Sequence, residues 1–179
     1  MKSRLLWMIG CLALLFPLPG ETGVPRVIVH EDFGTLDKVY QVGNLYFAGQ
    51  PDKTTLQYFK NRGGVTVINL RDPSEQALDE RALVKSLGLR YYNFPVPRNR
   101  PVNPSIMLAV SWAIEREGAV PILVHCSSGN RAALALAAHG TRLLGWSRED
   151  ALRLAEQAGM TRPGARKKLE ALLEEGLEP

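Results

Sequence analysis

The chain has 179 residues, of which 45% are hydrophobic and 22% charged, with a net charge of +4. At ~150 residues per domain this is one globular domain, and it excludes a disordered tail, a collagen-like fibre and a multi-span membrane protein. The positive balance contains no Lys/Arg block and no aromatic-basic interleaving, so it argues against nucleic acid and suits an anionic small substrate equally well.

Lys2 and Arg4 precede an apolar run from Leu5 to Leu18, followed by Pro19-Gly20-Glu21. This is the order of a secretory signal. As a helix the 14-residue run reaches about 21 Å, short of the ~30 Å hydrocarbon core. Residues 1–23 are therefore expected to be a signal peptide or an uncleaved N-terminal membrane anchor. Residues 24–179 then form the domain, exported to the periplasm or anchored facing it. Neither Gly20 nor Gly23 has a small residue two positions earlier, which keeps the anchor open. Removal of the leader takes Cys11 with it and leaves Cys126. A lone thiol in an exported chain is either a buried small hydrophobe or a reactive group.

Downstream, Arg26–His30 and Leu45–Ala48 read as strands, with a turn-like Gly34 to Lys38 between them. Asp52 is placed to cap a helix through about Arg62, ended by Gly63-Gly64. Val65 to Leu70 is nearly continuous and β-branched, as a buried strand should be. A loop from Arg71 to Ser74 leads to a helix ending at Gly88, with Ala77, Ala82, Leu83 and Leu87 as its apolar stripe. Leu89 to Val96 is the next strand. After the proline-broken segment that follows, a helix is predicted from Pro104 to Glu117, closed by Gly118. Ala119–His125 is a short strand with Pro121 near its start. Arg131–Leu144 is an Ala/Leu-rich helix, Ser147 opens another through about Ala158, and Pro163 starts the last, through about Glu174. Strands alternating with helices predict an α/β fold with a central, mainly parallel sheet flanked by helices.

The chemistry concentrates at His125-Cys126-Ser127-Ser128-Gly129-Asn130-Arg131. An apolar strand runs into a small-residue loop, and the loop into a helix. Parallel sheets place ligands at this carboxyl edge. The backbone N–H groups of Ser127, Ser128, Gly129 and Asn130 can form an anion nest, and the helix directs its positive end at it. The same field favours a Cys126 thiolate. Arg131 is permanently charged and can make two parallel bonds to a tetrahedral oxyanion. Cys126 is the candidate nucleophile, and Arg131 with the loop amides the candidate oxyanion binder. His125 reads as a hydrogen-bonded support of the loop rather than an acid or base. His30 and His139 have no motif around them. No metal-ligand cluster and no cofactor motif is present in the sequence, so none is expected.

This segment resembles the phosphate-binding loop of cysteine-dependent phosphatases of the tyrosine/dual-specificity type. Asn44 to Pro51, Val67 to Arg71 and Gly88 to Val96 resemble further landmarks of one bacterial branch, also found fused to β-lactamase-like hydrolases. The resemblance covers roughly residues 35–160. It implies a cysteine-phosphatase-like fold, a Cys126 phosphocysteine intermediate, phosphoryl binding by Arg131 and a phosphate monoester, small molecule or phosphoprotein, as substrate. Three departures stand out. Four residues separate Cys126 from Arg131, where the common phosphatase loop has five. Ala132 stands where a hydroxyl often follows the arginine. The segment Pro95 to Pro104 holds no carboxylate to act as general acid. Asp72 is the candidate for that role, with a turn or helix cap as its other reading. Arg71, Arg98 and Arg100 are candidates to widen the anion site. A four-residue loop is also the spacing of many rhodanese-type sulfurtransferases, so a Cys126 persulfide is the alternative reading. An anion-binding module without turnover is the third.

Overall fold

The computed structural model describes residues 25–76 and 79–176. The predicted leader, 1–23, and Ala77 of the predicted stripe lie outside the described residues. Among the described residues, no helix is long and apolar enough to cross a membrane.

The chain enters through an antiparallel meander of β1 (Ile28–Phe33), β2 (Leu36–Val42) and β3 (Leu45–Ala48). This corrects the turn-like reading of Gly34 to Lys38. The turn is only Gly34-Thr35, because Phe33 already pairs with Leu36. Gly34 makes so tight a reversal possible with φ +71°. A Cβ there would fall 2.6 Å from Thr55 Cα, so the position takes glycine for space as well as for conformation.

From β3 onward the order is strand and helix. Helix α1 (Lys53–Asn61) is capped by Asp52, whose side chain accepts from the Thr55 N–H. Strand β4 (Thr66–Asn69) follows, then a single 3-10 turn, Pro73–Glu75, and helix α2 (Glu80–Ser86). The helix expected directly after Ser74 therefore starts later. Asp72 and Glu75 close a capping box around one turn, and Asp79 caps a separate start by accepting from Ala82 N–H. Next come β5 (Arg90–Asn93), α3 (Pro104–Glu117), β6 (Ile122–His125), α4 (Asn130–Leu143), α5 (Arg148–Gln157) and α6 (Pro163–Glu175).

The six strands lie in the order β1-β2-β3-β6-β4-β5. Strand β6 sits between β3 and β4, and β3, β6, β4 and β5 run parallel. Alternate residues of the central strands face opposite sides, as the pleat requires. Tyr46, Val67 and Leu123 pack with Leu56 and Phe59 of α1 and Val84 of α2. Phe47, Ile68, Ile122 and Val124 pack against α3 to α6. Helix α4 lies at the centre of that second layer. Its alanines, Ala132, Ala133, Ala135, Ala137 and Ala138, are buried on nearly every side and let α3, α5 and α6 come close.

Candidate active site

Strand β6 delivers Cys126 to the middle of the carboxyl edge. The Cys126 N–H donates to Ala48 O at 3.3 Å, and His125 O accepts from the Leu70 N–H at 2.9 Å. The flanking strands thus hold both sides of the strand's exit. The loop then turns through Gly129, at φ +84°, into α4. The first turn of α4 has no acidic residue and no side-chain cap. Its N-terminal dipole is therefore uncompensated from within the helix. Cys126 is a free thiol and fully buried.

Arg131, one residue into α4, crosses back over the sheet edge. Its Nη1 donates to Glu75 Oε1 and Val96 O, both at 2.7 Å, and to Leu70 O at 3.3 Å. Its Nη2 donates to Glu75 Oε2 at 2.7 Å and Ser127 Oγ at 3.1 Å. The Cys126 side chain is also within hydrogen-bonding reach of the guanidinium. Burial opposes the guanidinium charge, but the Glu75 hydrogen bonds and the nearby Cys126 and Glu75 charges outweigh it and hold Arg131 above its ordinary value. Glu75 is the counterpart: hydrogen bonding from Arg131 outweighs the cost of burial and, with Ser127, takes its carboxyl down to about 2. Arg98 joins them, with Nε 2.6 Å from Glu75 Oε2 and Nη2 donating to Ser127 Oγ at 2.6 Å. The Ser127 hydroxyl donates in turn to Glu75 Oε2 at 2.9 Å.

Beneath the loop lies a second, buried network. His125 Nε2 donates to Glu80 Oε1 at 2.7 Å. The other Glu80 oxygen accepts from Arg71 Nη2 at 2.8 Å and Gln50 Nε2 at 2.6 Å. Burial pushes the Glu80 carboxyl up, but His125, Gln50 and Arg71 overcome that and keep it below the ordinary range. His125 is thus tied through Glu80 to Arg71 and Gln50.

The remaining candidates separate. Ser127 faces Glu75, Arg98 and Arg131, while Ser128 is exposed and pairs its backbone with Gly49. Asn130 is buried, and its Oδ1 accepts from the N–H groups of Thr161 and Arg162 at 3.0 and 2.9 Å. Asp72 takes the cap alternative: its carboxylate accepts from Ser74 N and Oγ, and makes no hydrogen bond to the 126–131 loop. Those Ser74 bonds lower its pKa, the opposite of what a proton donor needs. Arg71 does not widen the anion site, because it is buried on Glu80. Arg98 does reach the site, and Arg100 is exposed. Sequence reasoning missed Glu75, Glu80 and Gln50. The capping-box spacing of Asp72 and Glu75, right after a strand's carboxyl end, was the signal for the first. Among the described residues, no three His, Cys, Asp or Glu side chains gather into a metal-binding group.

No protein-family model matches the chain, and no curated protein matches its sequence. Solved structures do match in fold. A DUF442 protein of Shewanella putrefaciens CN-32 superposes with a TM-score of 0.64 at 20% identity, over 80% of this chain and 96% of the other. P. aeruginosa TpbA, solved with phosphotyrosine, gives 0.65 at 21% identity over 86% and 91%. This is the protein-tyrosine-phosphatase-like fold. The core catalytic domain of the PP-IP phosphatase SIW14 of S. cerevisiae, solved with citrate, shares the phosphatase-like fold at 0.62, with 19% identity over 81% and 87%. The central parallel strands and flanking helices expected from the sequence are those of this fold.

Proposed function

We propose that this chain is a cysteine-dependent phosphatase acting on phosphate monoesters. One juxtaposition supports it above all: the Cys126 thiol lies at the floor of a loop that ends in an uncapped helix N-terminus, with a fixed Arg131 across it. The phosphatase-like fold and the phosphotyrosine held by TpbA agree with a phosphorylated substrate. The Cys126 thiolate attacks phosphorus and forms the S–P bond as the ester P–O bond breaks. Arg131 and the loop amides hold the equatorial oxygens. Water then cleaves the S–P bond, releasing phosphate and the thiolate. Asp72 is not assigned the leaving-group proton, since its cap bonds keep it ionised. Water supplies that proton, so good leaving groups are favoured. The signal-like order of residues 1–23 supports an exported or membrane-anchored enzyme, which cell fractionation checks.

The four-residue loop and the lack of a carboxylic acid favour one second reading, sulfur transfer through a Cys126 persulfide to an acceptor such as cyanide. The full chain, wild type and Cys126→Ser, is assayed under reducing conditions with an aryl phosphate and, in parallel, with thiosulfate and cyanide. Phosphate release that disappears in Cys126→Ser supports the phosphatase. Cys126-dependent thiocyanate alone establishes the transferase and overturns it. Silence in both leaves an anion-binding module.

A further inference from the structure

A cavity of about 420 Å³ opens beside the loop, within the size range of small-molecule sites. Ser128, Asn130 and Arg131 form one wall, and the start of α6 forms the other. Four cations line it, Arg98, Arg131, Arg162 and Lys168, and no carboxylate does. The contrast along α6 is informative. Arg166, which is outside the lining, pairs with Glu156 and Glu170. Arg162 and Lys168 have no carboxylate partner among the described residues. Lys168 Nζ donates to the Arg98 carbonyl, which ties α6 to the loop after β5. Burial and the Arg131 charge both push the Lys168 ammonium down. Arg98 and Arg131 share the Glu75 carboxylate, which is outside the lining, whereas Arg162 and Lys168 are gathered without a counter-charge.

The wall is also built, not incidental. Asn130 accepts the Thr161 and Arg162 N–H groups and so fixes the start of α6 against the loop. Gly164 and Ala165 lie four and three residues before Lys168, so each neighbours it on the helix surface that lines the cavity. The two small side chains leave the helix backbone open to the cavity. Helix α6 has neither a side-chain cap nor an acidic residue in its first turn, so its dipole adds to the positive field.

We propose that Arg98, Arg162 and Lys168 form a second anion subsite beside Arg131, and that the substrate is a small molecule bearing two or more phosphoryl groups. This rests on the phosphatase reading above and names its substrate class. One phosphoryl group sits on Arg131 and the loop amides for transfer. A neighbouring one is held by the α6 cations, and this binding orients the first. No aromatic side chain lines the cavity. A phosphotyrosine ring would find no stacking partner there, whereas a compact polyanion supplies the counter-charge that Arg162 and Lys168 lack.

The test compares wild type with the Arg162→Gln/Lys168→Gln double variant as full chains. The substrates are p-nitrophenyl phosphate, myo-inositol hexakisphosphate and an acidic phosphotyrosine peptide. Calorimetric binding of myo-inositol hexakisphosphate to Cys126→Ser, with and without the two substitutions, runs beside the kinetics. Loss of two charge-assisted contacts should lower kcat/KM for the hexakisphosphate at least about tenfold more than for the aryl phosphate. Binding should weaken to match. Equal losses on both substrates overturn the subsite, and a larger loss on the peptide overturns the small-molecule class. If no phosphate ester is turned over, the phosphatase reading fails while calorimetry still decides the subsite. Binding that depends on Arg162 and Lys168 keeps it, and binding indifferent to them removes it.

Discussion

Glu75 holds Arg131 end-on: Oε1 lies 2.7 Å from Nη1 and Oε2 lies 2.7 Å from Nη2. The pair fixes the plane of the guanidinium, while backbone carbonyls at Leu70 and Val96 fix its reach. An arginine held this way cannot swing. Bidentate pairs of this kind combine strength with orientation.

The pair also sets an acid limit on stability. Glu75 has an ordinary value of 4.5 and a folded value of about 2. Its contribution is complete above the ordinary value and disappears as pH falls from about 4.5 to about 2, at most about 3 kcal/mol. Urea unfolding at pH 5 and pH 3 should show wild type losing more stability across that interval than Glu75→Gln. Parallel losses in the two proteins would separate Glu75 from the acid limb.

Asp72→Asn should leave aryl-phosphate turnover within about threefold of wild type, because the side chain caps a turn and does not supply a proton. A fall of the order of a hundredfold, selective for substrates with poor leaving groups, would return Asp72 to the role of general acid.

The buried network under the loop is more sensitive. Glu80→Ala leaves both His125 and Arg71 without their carboxylate, and should cost about 3 kcal/mol or more. Thermal or urea unfolding reads this directly. A cost below about 1 kcal/mol would mean the network relaxes freely.

At Gly129 the demand is conformational. A Cβ there would lie 3.7 Å from the nearest atom of Ala48, ordinary contact, while φ is +84°. Gly129→Ala should therefore cost about 1 kcal/mol, and Gly129→Asn less, since Asn tolerates this region. A much larger Ala penalty would point to crowding.

Legibility in the sequence followed the range of the interactions. Helix α3 runs from Pro104 to Glu117 as read, because Asn103, Pro104 and Gly118 mark its ends locally. Asp52 capped α1 for the same reason. Strand β2 was hidden because several of its polar residues face solvent, one strand in from the sheet edge, and its turn is only two residues long. The Cys126–Arg131 loop was legible because its members are contiguous. Glu75 was not, since its partner lies 56 residues away. Arg71 read as a loop cation because nothing nearby in sequence announces Glu80 and His125 as its buried company.

Asn130 carries one more implication. The residue that opens α4 also anchors the two amides that open α6, 31 and 32 residues downstream. The last helix is thus part of the scaffolding of the loop rather than an appendage behind it. A chain cut back to the end of α5 would leave that buried acceptor without its two donors. The start of the last helix and the start of α4 are set by one side chain.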